Sequence, residues 1–264
     1  MERYLFSKYS QELKRVGQLG SNSDKFLLGS QGNYTLQYIP FEHVNKNAKL
    51  VIVGITPGNT QISLAYKTGQ KLLKANYPEN EILIEIKKAG AFGGASMKPN
   101  LLKMLNHFSF NKLLGIDNIE TLWGQNAHLL HSTSVVPHAA FKSGKMFAGS
   151  FDMVMKSPLL KECFLDCFIP SAKEMRSDAL FVGLGPCPKD ALEWCVSQGH
   201  LSRKQVLGSF CHPSGAGGST TNYYLREVKK EQLKPKNPVL NRCDWLDEAY
   251  EQMLNSTKQL LSTL

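Results

Sequence analysis

His212-Pro213-Ser214-Gly215 is the stretch of this sequence best suited to chemistry. A histidine held by a following proline can offer a ring N–H to a developing anion. Ser214, with the backbone of Gly215, can donate to a phosphate. A second stretch, Gly54-Ile55-Thr56-Pro57-Gly58, flanks a proline with glycines, so the backbone can turn tightly and approach a ligand. Thr56, Asn59 and Gln61 place polar side chains on that turn, able to hold a water. Neither stretch is a nucleotide phosphate loop, because the sequence has no G-x-x-x-x-G-K-[ST] and no G-x-G-x-x-G. Taken singly, each also has a plain structural reading, as a strand-to-helix turn and as a loop histidine.

Four apolar runs lead into such turns. Lys49–Ile55 is continuous and rich in β-branched residues, which suits a strand buried on both faces. His128–Val136 is stopped by Pro137, Ala179–Gly185 by Pro186, and Gln205–Phe210 leads into the His212 turn. Helical spacing is read over 1–18, from about 60 to 76, and over 81–89, 99–108 and 243–263. Residues 19–34 are rich in Gly, Ser and Asn and read as loop. Strands alternating with helices imply a three-layer α/β/α sandwich around a mostly parallel four-stranded sheet. In such sheets the ligand sits outside the carboxyl ends of the strands, where these turns converge. The expected organisation is one domain over 1–264. It comprises an N-terminal helical extension and loop (1–47), a core (48–225), and a C-terminal basic segment and helix (226–264).

A strand ending in G-x-x-P-G and a late strand ending in H-P-S-G together resemble the two signature motifs of the uracil-DNA glycosylase superfamily. Phe92-Gly93-Gly94, followed by Leu101–Leu105, is similar to the segment in which that family sets an aromatic ring against a flipped base. Thr133-Ser134-Val135-Val136 is similar to its strand end that reads the pyrimidine edge. The likeness runs from about residue 48 to 225. Each motif is short, so the specificity lies in the set.

The resemblance implies an N-glycosylase that flips a base out of DNA and hydrolyses its glycosidic bond, leaving an abasic site. It assigns His212 to the leaving base, with Thr56, Asn59 or Gln61 positioning the water. It assigns Phe92 to stacking, Ser134, Ile55 and His138 to the base pocket, and Pro57, Gly58, Ser214 and Gly215 to phosphates. Lys142 and Lys145, just past the second strand, are further phosphate candidates. Two departures stand out. Thr56 occupies a position that is often Asp or Asn, and a hydroxyl is no general base at neutral pH. Ser134 stands where an Asn reads uracil, and it leaves more room. Together these favour a bulkier pyrimidine, such as a modified cytosine of viral DNA, and tie the chain to antiviral defence. The alternatives are an ordinary uracil or mismatch glycosylase and an inactive DNA-binding module of the same fold.

Composition frames these readings. The chain has 264 residues, 42% apolar and 20% charged, which is globular, and its net charge of +9 favours a polyanionic partner. No apolar run reaches the ~20 residues that span a bilayer, and the start does not read as a signal peptide. The expectation is a cytoplasmic monomer that binds DNA and no membrane. All six cysteines lie beyond residue 162 without C-x-x-C spacing, so reduced thiols are expected and no metal or other cofactor. Cys163 and Cys167 share a helical face. Tyr223-Tyr224 read as core anchors, and the Arg226–Lys236 stretch reads as a solvated face or a phosphate track.

Overall fold

The computed structural model describes residues 1–16, 24–90, 92, 97–214 and 219–264. Its strands are β1 (Leu27–Gln31), β2 (Tyr34–Gln37), β3 (Leu50–Gly54), β4 (Leu130–Ser134), β5 (Ala139–Lys142), β6 (Lys145–Met146), β7 (Leu180–Leu184) and β8 (Val206–Phe210). The helices run α1 (Phe6–Val16), α2 (Asn59–Lys74), α3 (Glu79–Gly90), α4 (Met97–His107), α5 (Phe110–Leu114) and α6 (Phe151–Lys156). They continue with α7 (Pro158–Cys163), α8 (Ile169–Lys173), α9 (Pro186–Ser197), α10 (Thr220–Tyr224) and α11 (Cys243–Leu261).

The four expected strands form one wholly parallel sheet, ordered β4-β3-β7-β8. Every residue of β3 is buried, as its unbroken apolar run requires. Its side chains alternate between two cores. Leu50 and Ile52 face α4, α5, α10 and α11, whereas Val51 and Val53 face α6 to α9. Helices therefore cover both faces, and the protein is a three-layer α/β/α sandwich. Tyr223 and Tyr224 are buried in the first core, where the Tyr224 hydroxyl donates to the Ser209 carbonyl at 3.0 Å.

A second, antiparallel sheet, β1-β2-β5-β6, overturns the loop reading over 27–34, while 19–23 lie outside the described residues. Residues Gln31 and Tyr34 pair across a two-residue turn, Gly32-Asn33, with Gly32 at φ +57°. Gly-Asn between extended segments is a hairpin signal, but here β1 is mostly exposed and lacks the alternation that marks a strand. The sheet is completed by β5, about a hundred residues away in sequence. A third core joins Leu5 and, from α1, Phe6, Tyr9 and Leu13 to Tyr66 of α2, Ile86 of α3 and Tyr38 beyond β2.

Candidate functional site

The chain passes from β3 to β4 on one side of the parallel sheet and to β7 and β8 on the other. The order therefore reverses between β3 and β7, and a crevice opens there at the carboxyl ends. The turn after β3 carries Thr56, and the turn after β8 carries His212 two strands away, about 10 Å at the usual spacing.

A small pocket opens where β3 and β4 end, lined by Phe41, Gln61, Lys87, Phe92, Ser132, Thr133, Ser134 and Pro137. Gly54 lies beneath two of these residues. A methyl added there would stand 3.6 Å from the Ser134 hydroxyl and 3.7 Å from the Phe92 ring, so these two groups converge above the glycine. Phe92 is buried, with φ +49°, and its N–H donates to the Gly90 carbonyl at 2.8 Å. A left-handed aromatic residue is strained by about 1–3 kcal/mol, and such strain gathers at ligand sites.

The His212 turn is held from both sides. The Ser214 N–H donates to His212 Nδ1 at 3.3 Å, and Asn100 of α4 donates to the Pro213 carbonyl at 2.9 Å. Because Nδ1 accepts, the neutral ring carries its proton on Nε2, which has no hydrogen-bond partner among the described residues. Solvent reaches the ring, yet the protein around it desolvates the cation and holds its pKa below the ordinary imidazole value. Ser214 is partly buried, and Gly215 lies outside the described residues.

The turn after β3 is engaged differently. The Thr56 hydroxyl donates to the His138 carbonyl at 2.7 Å and accepts from the Ala140 N–H at 2.9 Å, which pins this turn to the start of β5. The Gln61 amide accepts from the Gly58 N–H at 3.0 Å and donates to the Gly90 carbonyl at 2.8 Å. The single Thr56 donor is therefore used within the protein, Gln61 keeps one N–H beyond the Gly90 contact, and the Gly58 N–H is not offered to a phosphate. Asn59 is exposed at the first turn of α2, and Pro57 is buried. Ile55 packs against the core containing Val53, and its carbonyl accepts from the Val136 N–H.

Of the residues expected from sequence, Gln61, Phe92 and Ser134 thus meet in the pocket, and His212 stands across the rim from it. His138 lines an adjoining cavity of about 360 Å³ instead, with Cys167 and Arg3. There its Nδ1 accepts from the Ile39 N–H at 3.4 Å. Cys163, four residues before Cys167, hydrogen-bonds to it and, together with His138, holds the Cys167 thiol well below the ordinary thiol value. Lys142 and Lys145 pair with each other across the β5–β6 hairpin, and Lys142 sits 5.4 Å from the centre of the Tyr34 ring; neither lines the pocket. Arg226 pairs with Asp247 and stacks on Tyr250, so the start of the basic stretch is turned onto α11.

Lys87, Phe41 and Ser132 are the pocket residues not expected from sequence. The Lys87 ammonium donates to the Phe41 carbonyl at 3.0 Å and lies 5.3 Å from the centre of that ring. Burial pulls it down to about 7. Lys87 also borders an open groove of about 1350 Å³ along the edge of β4, which includes Trp123, Gln125, His128 and His131. The buried His131 Nδ1 has no partner among the described residues. Only the amphipathic turn of α3 announced a face at residue 87, and nothing local linked it to β4. No group of three or more His, Cys, Asp or Glu among the described residues could hold a metal, and no helix among them is long and apolar enough to cross a membrane.

No family model matches the sequence, and no solved structure matches it. The chain is similar to the uncharacterized protein YoxB of Bacillus subtilis (strain 168), with 32% identity over 213 residues, covering 80% of this chain and 82% of YoxB.

Proposed function

The chain belongs to the family of Bacillus subtilis YoxB, and from the chemistry of its strand-end rim we propose that it is a DNA glycosylase acting as a cytoplasmic monomer. The observation that carries this reading is the pairing of a small pocket, strained Phe92 against Gly54, with a neutral histidine across the same rim whose Nε2–H has no partner among the described residues. A pyrimidine-type base turned out of the duplex stacks on Phe92, worth about 1–3 kcal/mol. The glycosidic C–N bond then breaks with its electron pair going to the base. His212 donates a hydrogen bond to the anion that forms, and water adds to the sugar carbon. Ser132 and Ser134 are shorter than an Asn reader, which favours a bulkier pyrimidine such as a modified cytosine of viral DNA and makes antiviral defence the proposed setting. The net charge of +9 suits the phosphates on either side.

A second reading, a DNA-binding module without chemistry, is favoured by Thr56 and Gln61, which are both engaged with backbone and neither of which is a general base. A strand-break assay for abasic sites separates the two. The DNAs carry uracil, thymine opposite guanine, 5-hydroxymethylcytosine or its glucosylated form. Breaks at the modified cytosines support the proposed activity, and breaks at uracil make the protein a repair glycosylase. DNA binding with no breaks on any substrate leaves the binding module.

A further inference from the structure

Gln61 is the one carboxamide lining the candidate base pocket, and single hydrogen bonds to backbone at its oxygen and its nitrogen fix its orientation. The other polar groups that can meet the edge of a base are the hydroxyls of Ser132, Thr133 and Ser134 and the ammonium of Lys87. A side-chain amide can face the donor–acceptor mixture of uracil, whereas Lys87 in its charged form, which the acceptors of a cytosine-type edge favour, has three donors and no acceptor.

Lys87 is also placed at a cost. It is partly buried, and among the described residues no carboxylate pairs with it. One N–H is taken by the Phe41 carbonyl, and the aromatic face of Phe41 lies beside the charge. Two N–H groups remain. A lysine needed only for packing could be replaced by an apolar chain of the same length with a gain in stability. Costly polar groups of this kind are retained where they meet a ligand.

Resting on the glycosylase reading, we infer that Lys87 reads the flipped base, donating to the adjacent O2 and N3 acceptors of a cytosine-type edge while the serine hydroxyls accept from its exocyclic amine. Uracil and thymine carry a hydrogen on N3, so one Lys87 N–H would meet another donor there. The pocket thereby selects cytosine-type over uracil-type bases bearing the same substituent at C5. Lys87 touches the base and not the sugar, so it sets specificity, while His212 serves the leaving group.

The test uses the full chain and its Lys87→Met and Lys87→Gln variants, each first checked by thermal unfolding. Duplexes carry 5-hydroxymethylcytosine or 5-hydroxymethyluracil opposite an abasic analogue, which makes the base easy to extrude. Affinity is measured on both, and single-turnover excision on both. Wild type is expected to favour the cytosine form by about tenfold to a hundredfold in affinity, the discrimination one good bidentate contact supplies. Lys87→Met should erase that preference, and Lys87→Gln, which can both donate and accept, should shift it toward the uracil form. A preference that survives both substitutions, or that is missing from wild type, overturns the role of Lys87, even if excision proceeds. A Lys87-dependent preference in affinity with no excision on either duplex upholds the reader and overturns the glycosylase.

Discussion

The turns after β3 and β8 hold equivalent places at the carboxyl ends of one parallel sheet, and both carry polar groups that the sequence marks for chemistry. Their hydrogen bonds differ. At the β3 turn the donors point inward: Thr56 binds the His138 carbonyl and Gln61 the Gly90 carbonyl. At the β8 turn the backbone donates to the functional side chain, through Ser214 N–H to His212 Nδ1, and the exposed ring's other nitrogen has no partner among the described residues. A polar residue whose donor is already satisfied holds structure in place. One whose acceptor alone is satisfied is oriented for a ligand. The two turns thus divide the work, with the first shaping the pocket and the second presenting the reactive group.

The largest expected effect lies at the outward-facing turn. His212→Ala should lower single-turnover excision by about 10²–10³-fold, as loss of one preorganised donor does, with DNA affinity and melting temperature nearly unchanged. Excision at the wild-type rate would remove the distinction between the turns. At the inward-facing turn the result should invert. Thr56→Val keeps the shape but leaves a carbonyl and an N–H without their partner, so stability should fall by about 1–3 kcal/mol in a urea titration. The rate per folded molecule should hold. A stable, inactive Thr56→Val would return Thr56 to the water-activating role.

Asn100→Ala releases the Pro213 carbonyl and loosens the His212 turn from α4. Excision should drop by roughly tenfold, with a stability loss of about 1 kcal/mol or less, and the split between rate and Tm shows whether α4 positions the histidine. The smallest effect is in the pH profile. His212 is desolvated, so its neutral form persists below the ordinary imidazole pKa and is lost only as pH falls through the lowered value. Protonation places a hydrogen on Nδ1, against the Ser214 N–H. The acid limb of the rate should therefore lie below pH 6.5, and should be absent from whatever residual rate His212→Ala retains. A limb at or above that value would mean that the ring is solvated and the turn open.

The difference between the turns was only half visible in the sequence. Motif residues such as His212 and Ser134 sit where the strand ends put them, because a strand's end fixes its next few residues. What each side chain binds is not local. Thr56 meets His138 and Ala140 across 82 and 84 positions, and His138 turns toward Cys167. Contacts of that kind set His138 in the adjoining cavity and give the Gly58 N–H to Gln61, long-range for His138 and to a neighbouring side chain for Gly58.

By itself, then, the sequence determined the parallel sheet and its layers. An unbroken run such as Leu50–Val53 can be buried only between two apolar faces, and the spacing of helices between such runs leaves one architecture. It also determined which turns could bear chemistry. Tertiary structure decided the rest: the second sheet, closed by strands a hundred residues apart, the engagement of Thr56 and Gln61 with backbone, and the arrival of Lys87 beside Ser132 and Ser134. The physical reason is that burial patterns are written in short-range periodicity, whereas a hydrogen-bond partner or a pocket wall exists only once distant segments have been packed together.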